Sequence, residues 1–158
     1  MKQISFSGLT VANDQPLVLI GGPCQLESAD HAQMIAGTLK EACDAVGAQY
    51  IFKGSFDKAN RTSINAAPAL GLDAGLKVLQ SVRDSVGVPV LTDVHETAHC
   101  APVAEVCAVL QIPAFLCRQT ALLLAAGETG AVINVKKGQF LAPWDMPNVA
   151  AKIASTGN

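Results

Sequence analysis

Short apolar runs that end in chain breakers, each followed by a stretch with helical spacing, recur along this chain and restrict it to one fold class. Leu17-Val-Leu-Ile20 runs into Gly21-Gly22-Pro23, the pattern of a buried strand stopped by breakers. Ser28 reads as a helix cap. Met34, Ile35, Leu39 and Ala42 then recur at helical spacing through Ala29–Val46, and Gly47 is the stop. The unit repeats: Tyr50–Phe52 reads as strand, Gly71–Val86 as helix before Gly87, Val88–Val94 as strand, and a short helix is expected to begin near Pro102. Val109–Ile112 and Ala131–Val135 are the next strands, followed by helices over Gln119–Ala126 and Met146–Ile153. Ahead of these units, residues 4–12 alternate around Gly8 and predict a small hairpin.

Continuous apolar strands alternating with helices mean a parallel sheet covered by helices, an α/β fold. A dinucleotide fold would carry GxGxxG at its first turn and a nucleotidase a GK[ST] loop; the chain has neither. Instead a polar or reactive residue stands at or just past the end of nearly every strand: Cys24, Lys53 and Ser55, Asp93 and His95, Gln111, and Lys136. Barrel enzymes keep their chemistry at converging strand ends. The expectation is a (β/α)8 TIM barrel of which residues 1–158 form one partial domain, with about five βα units over residues 17–158. A closed barrel runs to roughly 250 residues. The stretch Ser155-Thr-Gly-Asn158 stands where a sixth strand is expected, which would leave an open edge and an exposed apolar face.

Composition excludes several classes. Half of the residues are hydrophobic and 15% are charged, which is globular rather than disordered. The mean hydropathy is +0.33, yet the longest uncharged runs, Gln15–Leu26 and Val106–Cys117, have 12 residues, well short of the roughly 20 that a spanning helix needs. The first residues hold no apolar run of signal-peptide length before Asp14, so a cytoplasmic location is expected. Five cysteines without a CxxC pair argue against a disulfide framework or a zinc ribbon. A net charge of −2 gives no reason to expect nucleic acid or an anionic membrane as partner. The cations are unevenly placed, however: six of the eleven Lys and Arg lie at Lys53, Lys58, Arg61, Arg118, Lys136 and Lys137. Such clustering asks for an anionic ligand.

The segment Lys53-Gly-Ser-Phe-Asp-Lys-Ala-Asn-Arg-Thr-Ser63 holds three cations, an Asn and several hydroxyls. Phosphate recognition uses that mix, because cations supply charge-assisted hydrogen bonds while hydroxyl and amide groups fix orientation. Read alone, the segment is equally an ordinary solvated loop. Its place at a strand's carboxyl end and the second basic site at Lys136-Lys137 favour the ligand.

Four blocks together resemble 3-deoxy-D-manno-octulosonate 8-phosphate (KDO8P) synthase: Phe52–Ser63, Thr92-Asp-Val-His-Glu96, Gln111–Thr120 and Ile133-Asn-Val-Lys-Lys-Gly-Gln-Phe-Leu-Ala-Pro-Trp144. The resemblance covers nearly the whole chain. Within it, Lys58-Ala-Asn-Arg-Thr62 separates this family from the sister enzymes that make a heptulosonate from erythrose 4-phosphate, which carry a Lys-Pro-Arg-Thr type sequence there. The resemblance implies a transferase that condenses phosphoenolpyruvate with arabinose 5-phosphate for lipopolysaccharide precursor synthesis. It would assign Lys53, Ser55, Lys58, Gln111, Ala114 and Lys136 to the phosphoenolpyruvate pocket and Asn60, Arg61 and Thr62 to the sugar phosphate. Asp93 and His95 would lie near the reacting carbons. A homo-oligomer, a tetramer in the family, is implied as well. The alternatives are the erythrose 4-phosphate sister activity and an inactive half-barrel that acts only in association.

Cys24, after Gly21-Gly22-Pro23, would by itself be read as a small buried hydrophobe. The resemblance makes it instead the mark of the metal-dependent branch, one ligand of a divalent ion. The remaining His, Glu and Asp ligands are expected in a C-terminal half that these residues do not include. His95-Glu-Thr-Ala-His99 matches the HExxH pattern of zinc proteases, which needs both histidines on one helical face. With His95 directly after a strand and a helix expected only near Pro102, that reading is set aside, His99 becomes a loop residue and His31 a solvated one. Cys43, Cys100 and Cys107 read as packing. The chain departs from the family at Asn65-Ala-Ala-Pro-Ala-Leu-Gly71, where an Arg-Gly-Pro-Gly type turn is usual, and at Ala121, where Asp is common.

Overall fold

The computed structural model of the chain describes residues 3–65 and 69–158. Ile4–Phe6 (β1) and Leu9–Val11 (β2) form the expected antiparallel hairpin, in the register Ile4↔Val11 and Phe6↔Leu9. Five further strands make a parallel sheet: Val18–Gly21 (β3), Gln49–Lys53 (β4), Val90–Asp93 (β5), Val109–Ile112 (β6) and Val132–Val135 (β7). The helices are Ala29–Val46 (α1), Leu72–Val86 (α2), Thr97–Val106 (α3), Thr120–Gly127 (α4) and Met146–Ala154 (α5). Hydrogen-bonded neighbours follow chain order, β3-β4-β5-β6-β7. A doubly wound sheet reverses its order at a switch point; this one does not, and unreversed parallel pairing with alternating helices is the pattern of a (β/α)8 barrel. The class is α/β, with five βα units and the N-terminal hairpin.

The chain forms two compact units, divided between Leu91 and Thr92. In the first, β3 pairs with β4 from Val18↔Gln49 to Gly21↔Phe52, and β4 meets β5 at Phe52↔Val90 and Lys53↔Leu91. Tyr50, Ile51, Phe52 and Phe56 are buried with Leu79 and Val82 of α2. The Tyr50 hydroxyl donates to the Gly21 carbonyl at 3.2 Å. Helix α1 begins where the sequence places it, since the Ser28 hydroxyl accepts from the His31 amide at 3.2 Å, satisfying one orphan donor of the first turn. It ends on Gly47, in the left-handed region at φ 68°. Its buried face is Ala32, Ala36 and Cys43, not the predicted stripe: Ile35 and Leu39 are half-buried, while Met34 and Ala42 are exposed. Small residues on that face let the helix approach its neighbours closely, and the Gln33 amide donates to Ser81 of α2 at 2.6 Å. On β3, Leu19 and Ile20 remain exposed.

In the second unit every residue of β6 is buried, as is the end of β5, and Cys100, Val103, Cys107, Leu122 and Leu123 bring α3 and α4 into the core. Helix α3 corrects the sequence reading, because it starts at Thr97 and contains Pro102. Proline weakens a helix interior by the one amide hydrogen it lacks and by its ring meeting the carbonyl four residues back. Burial of Cys100 and Val103 on one face offsets that loss, and the His99 amide bonds to the Glu96 carbonyl at 3.1 Å in the first turn. His99 is thus helical, not a loop residue. Strand β7 is only half-buried, and its Ile133 and Val135 line an apolar cleft of about 540 Å³ with Met146, Val149 and Ile153 of α5. Among the described residues no helix is long and apolar enough to cross a membrane.

Candidate functional site

In the first unit, the candidate residues gather where β3 and β4 end. The paired positions Gly21↔Phe52 and Gln25↔Ser55 enclose three residues on one side, Gly22, Pro23 and Cys24, and two on the other, Lys53 and Gly54. The extra residue is a bulge, a device that re-aims side chains at a strand's end. Gly22 makes it possible: its φ is 153°, and a Cβ there would stand 2.0 Å from the Lys53 carbonyl oxygen. The bulge leaves the Cys24 thiol exposed, so Cys24 is not the small buried hydrophobe that an isolated cysteine suggests.

The Lys53 ammonium, half-buried, lies 3.3 Å from the hydroxyl of Ser55. Ser55 is itself fully buried, and its carbonyl accepts from the Leu26 amide at 3.0 Å. Further along, the Arg61 amide bonds to the Lys58 carbonyl at 3.1 Å, in a turn where Asn60, Arg61 and Thr62 are exposed and Lys58 is half-buried. Among the described residues the Lys58 and Arg61 side chains have no ion-pair or hydrogen-bond partner. Lys40, by contrast, is held by Asp44, and Arg83 by Asp84. The donors of Lys58 and Arg61 are therefore available to an anion. Of the segment that departs from the family pattern, residues 66–68 lie outside the described residues.

In the second unit, Asp93 and Gln111 are buried at the ends of β5 and β6, 9% and 4% exposed. The Gln111 amide nitrogen donates to the Asp93 carboxylate, and its oxygen accepts from the Asn134 amide nitrogen at 2.9 Å. Asn134 carried no assignment from the sequence, although a polar residue inside the apolar run Val132-Ile-Asn-Val135 is the signal that could have marked it. Ala114 opens a single 3-10 turn, Ala114–Leu116, directly after Pro113. Lys136, exposed and without a side-chain partner among the described residues, follows β7, its amide bonded to the Ile112 carbonyl at 3.1 Å.

Lys137 behaves differently from its neighbour. Its ammonium is committed to the carbonyls of Gly138 at 3.0 Å and Leu141 at 2.8 Å, so it shapes the loop. Lys152, also unassigned by the sequence, holds the Thr120 hydroxyl at 2.7 Å and lines a cleft of about 340 Å³ with Arg118 and Asp145. His95 is half-buried ahead of α3. Its amide points at Nδ1 of His99 at 3.4 Å, and the two rings meet edge-on with centroids 6.1 Å apart. Only His99 is helical, so the two do not share a helical face as a zinc-protease pair must. Cys43, Cys100, Cys107 and Cys117 are buried thiols. Burial alone pushes the Cys100 thiol up to about 11, which leaves it an inert packing group near neutral pH.

Among the described residues no group of three or more His, Cys, Asp or Glu side chains could hold a metal ion. One exposed thiol is not a metal centre, so these residues do not complete the one that the resemblance implies.

The chain matches the model of the DAHP synthetase I family over residues 2–158. It is 57% identical over 155 residues to a 2-dehydro-3-deoxyphosphooctonate aldolase of Granulibacter bethesdensis, covering 98% of this chain and 55% of that protein. Proteins of the same name from Nitrobacter winogradskyi and Brucella ovis are 59% and 57% identical over the same share of this chain, and over 54% and 56% of their own lengths. The chain thus spans about half the length of the curated relatives it matches.

Proposed function

Because the chain belongs to the DAHP synthetase I family, we propose that it is part of a KDO8P synthase, which joins phosphoenolpyruvate to D-arabinose 5-phosphate and releases phosphate in lipopolysaccharide precursor synthesis. The observation that carries this reading is the identity of 57–59% to proteins named 2-dehydro-3-deoxyphosphooctonate aldolase, sustained over 98% of the chain. The reaction forms a bond between C3 of phosphoenolpyruvate and the aldehyde carbon of the sugar. Water adds to C2, and phosphate leaves with cleavage of the C2–O bond, so one water is consumed for each phosphate released.

The chain's own part in this chemistry is to gather and hold charge. Two phosphates and a carboxylate bring several negative charges together, and preorganised cations and hydroxyls hold them while charge shifts. Lys53, Ser55, Lys58, Gln111, Ala114 and Lys136 are assigned to phosphoenolpyruvate, and Asn60, Arg61 and Thr62 to the sugar phosphate. Asp93 and His95 are assigned to the reacting carbons. The unpartnered side chains of Lys58, Arg61 and Lys136 among the described residues, and the buried hydroxyl of Ser55 beside Lys53, support the binding roles. The proposal extends to a homo-oligomeric protein of the cytoplasm, and to a divalent ion for which Cys24 supplies one thiolate and residues beyond these 158 the rest.

The deciding assay is phosphate release by the protein that carries this sequence, with phosphoenolpyruvate and either sugar phosphate. Arabinose 5-phosphate is expected to be the substrate. Preference for erythrose 4-phosphate would give the activity to the sister reaction, and no turnover with either would leave an associating half-barrel. Lys136→Ala should lower kcat/KM ten- to a hundredfold, the loss of a charged contact of about 1.5–3 kcal/mol. Chelation should abolish turnover, and activity that survives stripping would remove Cys24 from its role.

A further inference from the structure

Asp93, Gln111 and Asn134 lie across β5, β6 and β7 of the second unit as one layer. Gln111 and Asn134 are register partners, and the Val94 amide bonds to the Gln111 carbonyl at 3.0 Å. A glutamine side chain has two ends of nearly equal shape and opposite polarity, so its neighbours decide which end faces which. Asp93 is an acceptor when ionised and therefore calls for the amide nitrogen. With that nitrogen turned to Asp93, the Gln111 oxygen faces Asn134, whose amide nitrogen holds it at 2.9 Å and so keeps the Gln111 amide in place. Polarity then runs one way through the layer, from the Asn134 donor through the Gln111 amide to the Asp93 carboxylate. The amide that meets Asp93 is thus anchored by a residue two strands away.

We propose that Asn134 is a positioning residue for the reaction, acting through the Gln111 amide to hold the Asp93 carboxylate in place. This rests on the functional reading above, which puts Asp93 at the reacting carbons; the relay itself stands on geometry alone. Two further features give it weight. Asn134 occupies the interior of an apolar strand, where a polar side chain is costly unless it is hydrogen-bonded. It also stands two residues before Lys136, which directly follows β7, so by strand alternation the two leave the same side of the chain.

The relay predicts a reversal that simple packing does not. Asn134→Asp presents only acceptors, turns the Gln111 amide around, and sets its oxygen against the Asp93 carboxylate; the melting temperature should fall. Asp93→Asn should also lower it. The double variant Asp93→Asn, Asn134→Asp restores a donor facing an acceptor at both links with polarity reversed, and should melt well above the sum of the two losses. Additive losses would overturn the relay. In the unsubstituted protein, one side-chain amide proton of Gln111 should resonate downfield and exchange slowly, and a free-amide signal would overturn it even if the variants fail to fold.

Turnover supplies the other arm. Asn134→Asp should lower kcat at least tenfold with KM for arabinose 5-phosphate, which Gln111 is not assigned to touch, within about twofold, and the double variant should regain stability without regaining kcat. An unchanged kcat in Asn134→Asp would refute the positioning role while leaving the functional reading intact. Absence of turnover in the unsubstituted protein would refute the functional reading, and with it Asn134's part in a reaction, while the stability cycle would still decide the relay.

Discussion

Replacing Gly22 by alanine tests whether the bulge after β3 is built as described. The added Cβ would lie 2.0 Å from the Lys53 carbonyl oxygen, 3.0 Å from its carbonyl carbon and 3.2 Å from its nitrogen. All three are backbone atoms, so no side chain can swing aside. The strand ends must separate by about 1 Å to restore a normal contact, an overpacking cost of about 1–3 kcal/mol. The backbone adds to this, since φ is 153° at Gly22, and holding an alanine there costs about 1–3 kcal/mol more. Together the substitution should destabilise the fold by about 2–6 kcal/mol, or about 5–20 °C in Tm for a chain of this size. Gly47→Ala is the control. It also has positive φ, 68°, but nothing lies within 4 Å of the point where its methyl group would stand, so only the conformational cost of about 1–2 kcal/mol applies. Thermal unfolding followed by circular dichroism compares the two. If Gly22→Ala melts no lower than Gly47→Ala, the close approach of the two strand ends is refuted, and with it the reason for Cys24 standing exposed beside Lys53.

Ser28→Ala removes the hydroxyl that accepts from the His31 amide and should cost about 1 kcal/mol, read as a lower urea midpoint with unchanged slope; an unaltered midpoint would show that the cap contributes nothing. Alkylation at pH 8 should label Cys24 first, because Cys24 is exposed and Cys100 is buried with its thiol pushed up to about 11; peptide mapping that finds Cys100 labelled as fast would contradict that burial. Cys100 also makes stability depend on alkaline pH. The unfolded thiol loses its proton near 9.0 and the folded one near 11, so stability is full below pH 9 and falls by about 3 kcal/mol as pH rises through 11. Tyr50, raised first by burial and then by Cys43, acts in the same direction. Cys100→Ala should flatten the decline in Tm between pH 9 and 11, and a profile that stays as steep would assign it to other groups.

Much of the fold could be read from residue order, because the signals involved are local. Ser28 and Gly47 bound α1 through groups within three residues of each end, and the apolar runs at Val109–Ile112 and Ala131–Val135 appear as β6 and as β7 with one residue trimmed. The placement of Lys53, Asp93 and Lys136 at or just past strand ends was legible for the same reason, since a strand's end is marked by its own breakers. Helix α3 shows where local signals mislead: Pro102 looks like a first-turn residue, yet the burial of Cys100 and Val103 carries the helix through it. The buried face of α1 was misjudged likewise. Hydrophobicity alone favours Met34, whereas close approach to neighbouring elements favours Ala32 and Ala36.

What residue order determined by itself was the α/β class, the order of the elements and the chemical kinds of group at the strand ends. Tertiary structure alone decided which of those groups are committed to the protein and which are left for a ligand. Lys136 and Lys137 are adjacent, identical and both exposed, yet Lys136 has no side-chain partner among the described residues and Lys137 is tied to the carbonyls of Gly138 and Leu141. The bulge at residues 22–24 exists only in the register of β3 against β4, and the bonds from Asn134 through Gln111 to Asp93 join positions 23 and 18 residues apart. Hydrogen-bond direction and strand register depend on partners distant in sequence, so only the folded chain specifies them.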